Sequence, residues 1–175
     1  LRCPFLDIFK AIRTRRSIRK YRPDPVPDDL IEKVIDAARW APSSHDRQPW
    51  EFIVVRNRCT MEKLAKTHKY SSFIVDVPLV VVVCVDQHKS PNLFIQDGSA
   101  AIQNLLLAAH ALGLGACWIA IHNLNFPKFE KYVQKLLSIP ENIRVIALIS
   151  VGWPMEEPLP SKRRELSEIV HQERF

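Results

Sequence analysis

Residues 100–119 read AAIQNLLLAAHALGLGACWI. The part before Gly113 is apolar nearly all round, which is typical of a helix buried in a core or in an interface. Gly113 suits the position directly after a helix, where the backbone often turns left-handed. We therefore predict a helix over about 97–112, followed by an apolar strand over 116–121.

A second apolar run, LVVVVCV, occupies residues 79–85. Its β-branched side chains predict a strand that is covered on both faces. Two further apolar runs predict strands over 52–55 and 143–151.

Helices are predicted where apolar residues recur three and four positions apart. This spacing predicts helices near residues 5–15, 28–41, 60–64 and 126–137. Asp28 or Asp29, together with Glu32, is expected to cap the second helix, and Thr60 the third. Because the strands are mostly separated by helices, the chain is placed in the α+β class.

The composition is that of an ordinary globular protein. The chain has 175 residues, 47% of them hydrophobic and 25% charged, with a formal net charge of +6. These values exclude wholesale disorder, and the length predicts one domain over residues 1–175. The longest apolar run, 77–85, is far shorter than the roughly 20 residues of a membrane-spanning helix. The four glycines form neither GxGxxG nor a P-loop, so a bound phosphate would depend on side chains.

The four cysteines, Cys3, Cys59, Cys84 and Cys117, form no CxxC pair. This spacing is not typical of a zinc site or a disulfide framework, so we expect reduced thiols and a cytoplasmic protein. Cys117 and a distant histidine could form a nucleophile pair, but the apolar surroundings of Cys117 favour an inert thiol. The N-terminal residues show no signal-peptide pattern.

Much of the positive charge lies in residues 13–22, RTRRSIRKYR. Alternation along an extended segment would put Arg15, Ser17 and Arg19 on one side. Guanidinium groups and a hydroxyl that converge in this way suit a phosphate dianion. One alternative is a helix C-terminus that carries cations because the helix dipole favours them. Another is a basic module that binds nucleic acid.

A second polar segment, APSSHDRQPW, occupies residues 41–50 between a predicted helix and a predicted strand. Its hydroxyl, amide and carboxylate groups could exchange hydrogen bonds with a flat polar ligand. The alternative is a turn in which Ser43, Ser44 and Asp46 bond only to nearby backbone groups.

Four motifs follow one another along the chain. They are RRSIRKY at 15–21, ARWAPSSHDRQPW at 38–50, AAIQNLLLAAHALGLGACWI at 100–119 and a basic triplet at 162–164. Together they resemble the nitroreductase family of FMN-dependent oxidoreductases. The resemblance extends over nearly the whole chain, from about Ile8 to Val170.

The resemblance implies an α+β fold with a mixed central sheet flanked by helices. It also implies an intertwined homodimer that holds FMN at its interface. The apolar helix over 100–112 would then form part of the dimer core. The C-terminal tail would be an arm that reaches over the partner subunit.

By position, the resemblance assigns the FMN phosphate and ribityl group to the two basic ends of the chain. It assigns the flavin ring to Arg19, to a loop presented by the partner subunit and to the end of the strand after the apolar helix. The implied cofactor-binding residues are Arg15, Arg16, Ser17, Arg19, Pro42, Ser43, Ser44, Asp46, Gln48, Ile119, Ala120, Ile121, Lys162 and Arg163. No side chain is assigned as a catalytic acid.

The implied activity is hydride transfer from NADH or NADPH, through flavin N5, to a small aromatic acceptor such as a nitroaromatic or quinone, with ping-pong kinetics. Arg19 is expected to stabilise the negative charge at N1 of the reduced flavin. Asp46 stands where the family usually has Asn. The alternatives are a nucleic-acid-binding module and a relative with dehalogenase or flavin-cleaving activity; the resemblance implies neither a nucleic-acid nor a membrane partner.

Overall fold

The structure is a computed structural model that describes residues 7–175. Phe5, with which the first helix was predicted to begin, and Cys3 lie outside these residues. The α-helices are α1 (Ile8–Thr14), α2 (Asp28–Arg39), α3 (Arg58–Leu64), α4 (Phe94–Ala111) and α5 (Pro127–Leu137). The strands are β1 (Trp50–Val55), β2 (Leu79–Asp86), β3 (Gly115–Ala120) and β4 (Ile143–Gly152). Short 3₁₀ segments lie at Ser44–Asp46, Lys69–Asp76 and Leu166–Glu168.

The four strands form one sheet in the order β1-β2-β4-β3. Every pair of neighbouring strands is antiparallel. Within the described residues, the parallel component of the predicted mixed sheet is a single bridge between Ser17 and Ala116. Strand β2 is buried from Leu79 to Val85, as its β-branched run predicted, because helices cover both faces of the sheet.

Helix α4 packs against α2 and one face of the sheet. Its residues Ile102, Leu105 and Ala109 are fully buried within this chain. Most of the apolar surface of this helix is therefore covered within the chain, and its contribution to a dimer core stays a prediction. Gly98 allows the close packing, because a Cβ there would lie 2.8 Å from Val85 and 2.9 Å from Ile146.

Two predicted helix caps are wrong. Helix α2 has Pro27 at its N-cap without a side-chain hydrogen bond, and Asp28 instead pairs with Arg56 at 2.6 Å. Helix α3 begins earlier than predicted, and the Asn57 carboxamide oxygen accepts from the Thr60 N–H at 3.0 Å. In both cases the N-cap residue, Pro27 or Asn57, has the non-helical backbone conformation that this position requires. The aspartates of α2 still lie in its first turn, where the helix dipole favours them.

A buried ion cluster joins α5 to β4. The Glu130 carboxylate accepts from Arg144 Nε and Nη2, both at 2.8 Å, and from the Val145 N–H at 3.0 Å. It also lies 2.9 Å from His122 Nδ1. Burial alone would raise the pKa of Glu130, but the hydrogen bonds from Arg144, His122 and Val145 lower it overall. No sequence motif pointed to this cluster.

Apolar side chains remain exposed at both ends of the described chain. On α1, Ile8, Phe9 and Ile12 are more than half exposed. In the tail, Leu166 and Val170 are also at least half exposed. No element among residues 7–175 covers these side chains. Within residues 7–175, no helix is both long enough and apolar enough to span a membrane.

Candidate functional site

The basic segment 15–19 is held against strand β3. Ser17 forms its bridge with Ala116, and the Ile18 N–H donates to the Ala116 carbonyl at 3.0 Å. A Cβ at Gly115 would lie 2.8 Å from the Ile18 side chain, so a larger residue would push the segment away. Backbone pairing and this glycine therefore set where the arginines lie.

A cavity of about 360 Å³ lies beside this segment and is lined by Arg15 and Arg16; we call it the arginine cavity. Burial lowers the pKa of Arg15, and the charges of Arg16 and Arg163 lower it further. Within residues 7–175, none of these three arginines forms an ion pair with a carboxylate. Arg16 Nε is buried and has no hydrogen-bond partner among the described residues. The cluster has the charge and the free donors to hold an anion.

His110 lies on α4 and also lines the arginine cavity. The Thr14 hydroxyl donates to the Lys10 carbonyl at 2.7 Å, so His110 Nε2, 2.8 Å from that hydroxyl, is its donor. Burial lowers the pKa of His110, and the charges of Arg15 and Arg16 add to the effect. We infer that the imidazole is neutral and ties α4 to α1.

Acidic groups also border the arginine cavity. Glu156 and Glu157 are among the residues that line it. The Glu156 carboxylate accepts from the N–H groups of Arg19 at 2.6 Å and Lys20 at 3.1 Å. Glu156 therefore positions the backbone that carries Arg19, and its charge is partly offset by these donors.

A larger groove of about 1040 Å³ extends from Arg19 along β3; we call it the aromatic groove. Its wall includes Cys117, Ile119 and Ala120 from β3. Aromatic side chains make up much of the remaining wall: Tyr70, Phe73, Trp118, Phe126 and Phe129. This shape and lining suit a flat ring system.

The structure divides the predicted strand-end residues. Ile119 and Ala120 line the aromatic groove. Ile121 is fully buried, and its N–H donates to the Ile146 carbonyl at 3.0 Å, so it does not reach the groove. Burial raises the pKa of Cys117, although Arg19 and a hydrogen bond from Ser17 act in the opposite direction. This agrees with the prediction of an inert thiol.

The predicted loop of residues 42–48 is compact and strained. His45, Asp46 and Gln48 have φ values of 53°, 53° and 47°, in the left-handed region that non-glycine residues rarely adopt. The Ser43 hydroxyl accepts from the Gln48 N–H at 2.9 Å, and Gln48 Nε2 donates to Asp46 Oδ1 at 3.1 Å. Only the Ser43 contact is the local backbone bond of the turn alternative, because the Asp46 carboxylate and the Ser44 hydroxyl contact side chains, those of Gln48 and His45. Several polar groups of the loop stay exposed.

Asp97, a buried residue in the first turn of α4, anchors this loop. Its carboxylate accepts from the Ser44 N–H at 3.0 Å and from the Ser90 hydroxyl at 2.7 Å. Sequence reasoning did not single out Asp97. The available signal was that Asp97 is the one acidic residue of a largely apolar helix.

The structure brings some predicted residues together and leaves others apart. Arg15, Arg16, Ser17 and Arg163 lie around the first half of β3. Lys162 is exposed in the tail, and Arg163 donates to the Ser161 hydroxyl and to the Lys162 carbonyl. Pro42, Ser43, Ser44, Asp46 and Gln48 line neither the arginine cavity nor the aromatic groove of their own chain.

Comparison with known proteins identifies the family. The sequence profile of the nitroreductase family matches residues 12–90 and 65–153. The chain belongs to the nitroreductase family. A protein of Methanothermobacter thermautotrophicus, provisionally named NADH dehydrogenase/NAD(P)H nitroreductase, is 46% identical over 155 residues, which cover 87% of this chain and 80% of that protein.

Two solved structures of nitroreductases have the same fold as this nitroreductase-family chain. An FMN-dependent nitroreductase of Clostridium difficile superposes with a TM-score of 0.86 at 32% identity, over 94% of this chain and 98% of its own. A provisionally named nitroreductase of Desulfovibrio desulfuricans, solved in complex with FMN, gives 0.81 at 33% identity, over 96% and 97%. The predictions of the family, the α+β fold class and a nitroreductase-type oxidoreductase are thereby confirmed.

Proposed function

We propose that this chain is an FMN-dependent oxidoreductase that uses NADH or NADPH to reduce a small aromatic acceptor. The observation that carries the proposal is the placement of the arginine cavity and the aromatic groove along one strand, β3. The segment 15–19 contributes Arg15 and Arg16 to the arginine cavity and Arg19 to the aromatic groove. A ligand with an anionic tail and a flat ring could lie along this strand with each end in a matching environment. FMN has these two parts.

The residues present fit FMN. A phosphate dianion would relieve the mutual repulsion among Arg15, Arg16 and Arg163 and supply a partner for the buried Arg16 Nε. Ser17 and Lys162, the chain neighbours of Arg16 and Arg163, would add a hydroxyl and an ammonium group. Arg19, at the start of the aromatic groove, would face the polar edge of the flavin ring. The backbone of Ile119 and Ala120 would pass the ring itself.

The chemistry that bound FMN supplies is two-electron transfer: hydride from NAD(P)H to flavin N5, then reduction of a nitroaromatic, quinone or similar acceptor in a second half-reaction. The protein binds and orients both partners in the aromatic groove. One groove that serves the donor and the acceptor in turn gives ping-pong kinetics. Arg19 would stabilise negative charge at the edge of the bound flavin ring. Because this stabilisation is electrostatic, no side chain is needed as a proton donor.

The proposed functional unit is a homodimer. The loop 42–48 is rich in polar groups but lines neither cavity of its own chain, as expected if it serves the site of a second copy. The exposed apolar residues of α1 and of the tail offer surface that a second copy would cover. Residues 1–175 act as one cofactor-binding domain in this proposal.

Flavin binding tests the proposal directly. The protein purified from FMN-supplemented cells should be yellow, and anaerobic NADH or NADPH should bleach its flavin absorbance. Arg15→Ala and Arg163→Ala should each weaken FMN binding by about tenfold or more, because each removes a charge-assisted contact worth about 1.5–3 kcal/mol. Arg174→Ala, at the exposed end of the tail, is the matched control. A colourless protein that binds no FMN in titration would refute the proposal.

The role of Arg19 has its own measurement. Arg19→Ala should lower the midpoint potential of the bound flavin, because the positive charge favours the reduced, negatively charged form. Lys20→Ala controls for the loss of a neighbouring cation. An unchanged potential in Arg19→Ala would reject the role given to Arg19.

A further inference from the structure

The rim of the aromatic groove carries one sign of charge. Arg19 and Lys69 line the groove, and no carboxylate does so among the described residues. The Lys69 ammonium lies 4.9 Å from the ring centroid of Tyr70 and forms no ion pair within residues 7–175. A third cation, Lys128, lies 5.5 Å from the ring centroid of Phe129.

Lys69 is placed beside the groove by defined contacts. It begins the 3₁₀ segment Lys69–Asp76, which is preceded by His68. The Tyr70 N–H donates to His68 Nδ1 at 3.1 Å, which puts the imidazole proton on Nε2, and Nε2 donates to the Ala120 carbonyl at 3.2 Å. The segment is thus joined to the end of β3, where Ile119 and Ala120 also line the groove.

These features favour one class of ligand. Aromatic walls attract flat rings through stacking and edge contacts, whatever the charge of the ring's substituents. A cleft with cations of one sign between apolar walls concentrates ligands of the opposite sign. A flat ring with an anionic substituent gains from both effects, whereas a neutral ring gains only from the first.

We propose that the aromatic groove selects flat aromatic acceptors that carry an anionic substituent such as a carboxylate, and that Lys69 recognises the anion. The inference rests on the proposed function, because it treats the groove as the acceptor site. Arg19 is assigned there to the cofactor, so Lys69 is the lining cation left for the substrate.

The first test compares the binding of two probes of nearly equal shape to the purified holoprotein. 2-Naphthoate and its neutral analogue 2-naphthamide are titrated at low ionic strength, with flavin and naphthalene fluorescence as the readouts. Naphthoate should bind about fivefold more tightly, the upper range of the gain from one exposed ion pair. The advantage should shrink as salt is added, because Lys69 is exposed.

The variant Lys69→Gln should reduce the preference for naphthoate to about twofold or less. Lys66→Gln, an exposed lysine that does not line the groove, should leave it unchanged. Equal affinity for the two probes in the wild-type protein, or a preference that persists in Lys69→Gln, would overturn the proposal.

A second measurement separates this inference from the proposed function. In the oxidative half-reaction, 4-nitrobenzoate should react faster than 4-nitrobenzamide, and Lys69→Gln should remove the difference. A protein without flavin would reject the proposed function, while the naphthoate titration would still report on the groove. A holoprotein that reduces both acceptors equally fast and shows no binding preference would uphold the function and reject the role of Lys69.

Discussion

Removal of the Glu130 carboxylate should destabilise the protein strongly. Its side chain is 5% exposed and accepts four hydrogen bonds, two of them from the Arg144 guanidinium, which is 24% exposed. Breaking a buried pair by removing one partner costs about 3–5 kcal/mol, because the remaining charge is left without compensation. Since Arg144 keeps some contact with solvent, we expect a loss of about 3 kcal/mol in the free energy of unfolding for Glu130→Ala.

Urea denaturation followed by circular dichroism measures this loss, at one fixed protein concentration because assembly would shift the midpoint. Glu141→Ala, an exposed carboxylate without a hydrogen-bond partner among the described residues, should change the free energy by less than about 0.5 kcal/mol. A double variant, Glu130→Met with Arg144→Met, should recover much of the stability. If Glu130→Ala behaved like Glu141→Ala, the cluster would not contribute as its geometry indicates.

The same carboxylate gives a pH dependence whose sign follows from its pKa. Hydrogen bonds lower the pKa of Glu130 in the folded protein below the ordinary value of 4.5. The unfolded chain therefore takes up the proton at a higher pH than the folded chain does. The contribution of Glu130 to the free energy of unfolding is fully present above the pKa of the unfolded chain, the ordinary value of 4.5. It is lost as the pH falls from there through the lower pKa of the folded protein. Between pH 7 and pH 4, wild-type protein should lose more stability than Glu130→Ala.

Three further outcomes follow from buried groups. Asp97→Asn places an N–H donor opposite the Ser44 N–H or the Ser90 hydroxyl, which both donate to Asp97. The free energy of unfolding, measured by urea denaturation, should fall by about 1–3 kcal/mol. Trypsin should also cleave loop 42–48 faster. Gly98→Ala should lower the melting temperature, because overpacking of about 1–3 kcal/mol exceeds the helix-propensity gain of about 1 kcal/mol. Iodoacetamide at pH 8 should label Cys59, which is exposed, but not the buried Cys84, whose pKa is raised to about 12, as peptide mass spectrometry would show.

The elements with a strong apolar pattern were predictable. Strand β2 was predicted at 79–85 and extends one residue further, because a β-branched run of this kind has few alternatives to a covered strand. Helix α4 begins at Phe94, three residues before the predicted start. The first turn contains a mixture of polar and apolar residues, and one of them, Asp97, accepts a hydrogen bond from the distant Ser44 N–H. Such a long-range contact leaves no local pattern.

The 3₁₀ segment Lys69–Asp76 was not predicted, although it forms one wall of the aromatic groove. Its sequence, KYSSFIVD, has neither a clear helical nor an alternating period. Reciprocal hydrogen bonds between His68 and Ser71 order it locally, and the contact from His68 to Ala120 fixes it on the sheet. The basic ends of the site were predictable because charge density is visible in sequence. The groove wall was not, because it depends on tertiary packing.

The geometry of loop 42–48 supports the proposed homodimer. Left-handed backbone at His45, Asp46 and Gln48 costs about 1 kcal/mol or more at each residue, and least where Asp or His is present. Such strain persists only where the surroundings impose it, and here the buried Asp97 does so through the Ser44 N–H. Yet the loop lines neither cavity of its own chain, so its shape contributes no contact to the candidate site of that chain. A loop held at a cost in a fixed shape and facing outward is expected of a segment that acts on a second copy. In this protein it presents Asp46, whose carboxylate is already bonded to Gln48, where the family resemblance leads one to expect a neutral amide.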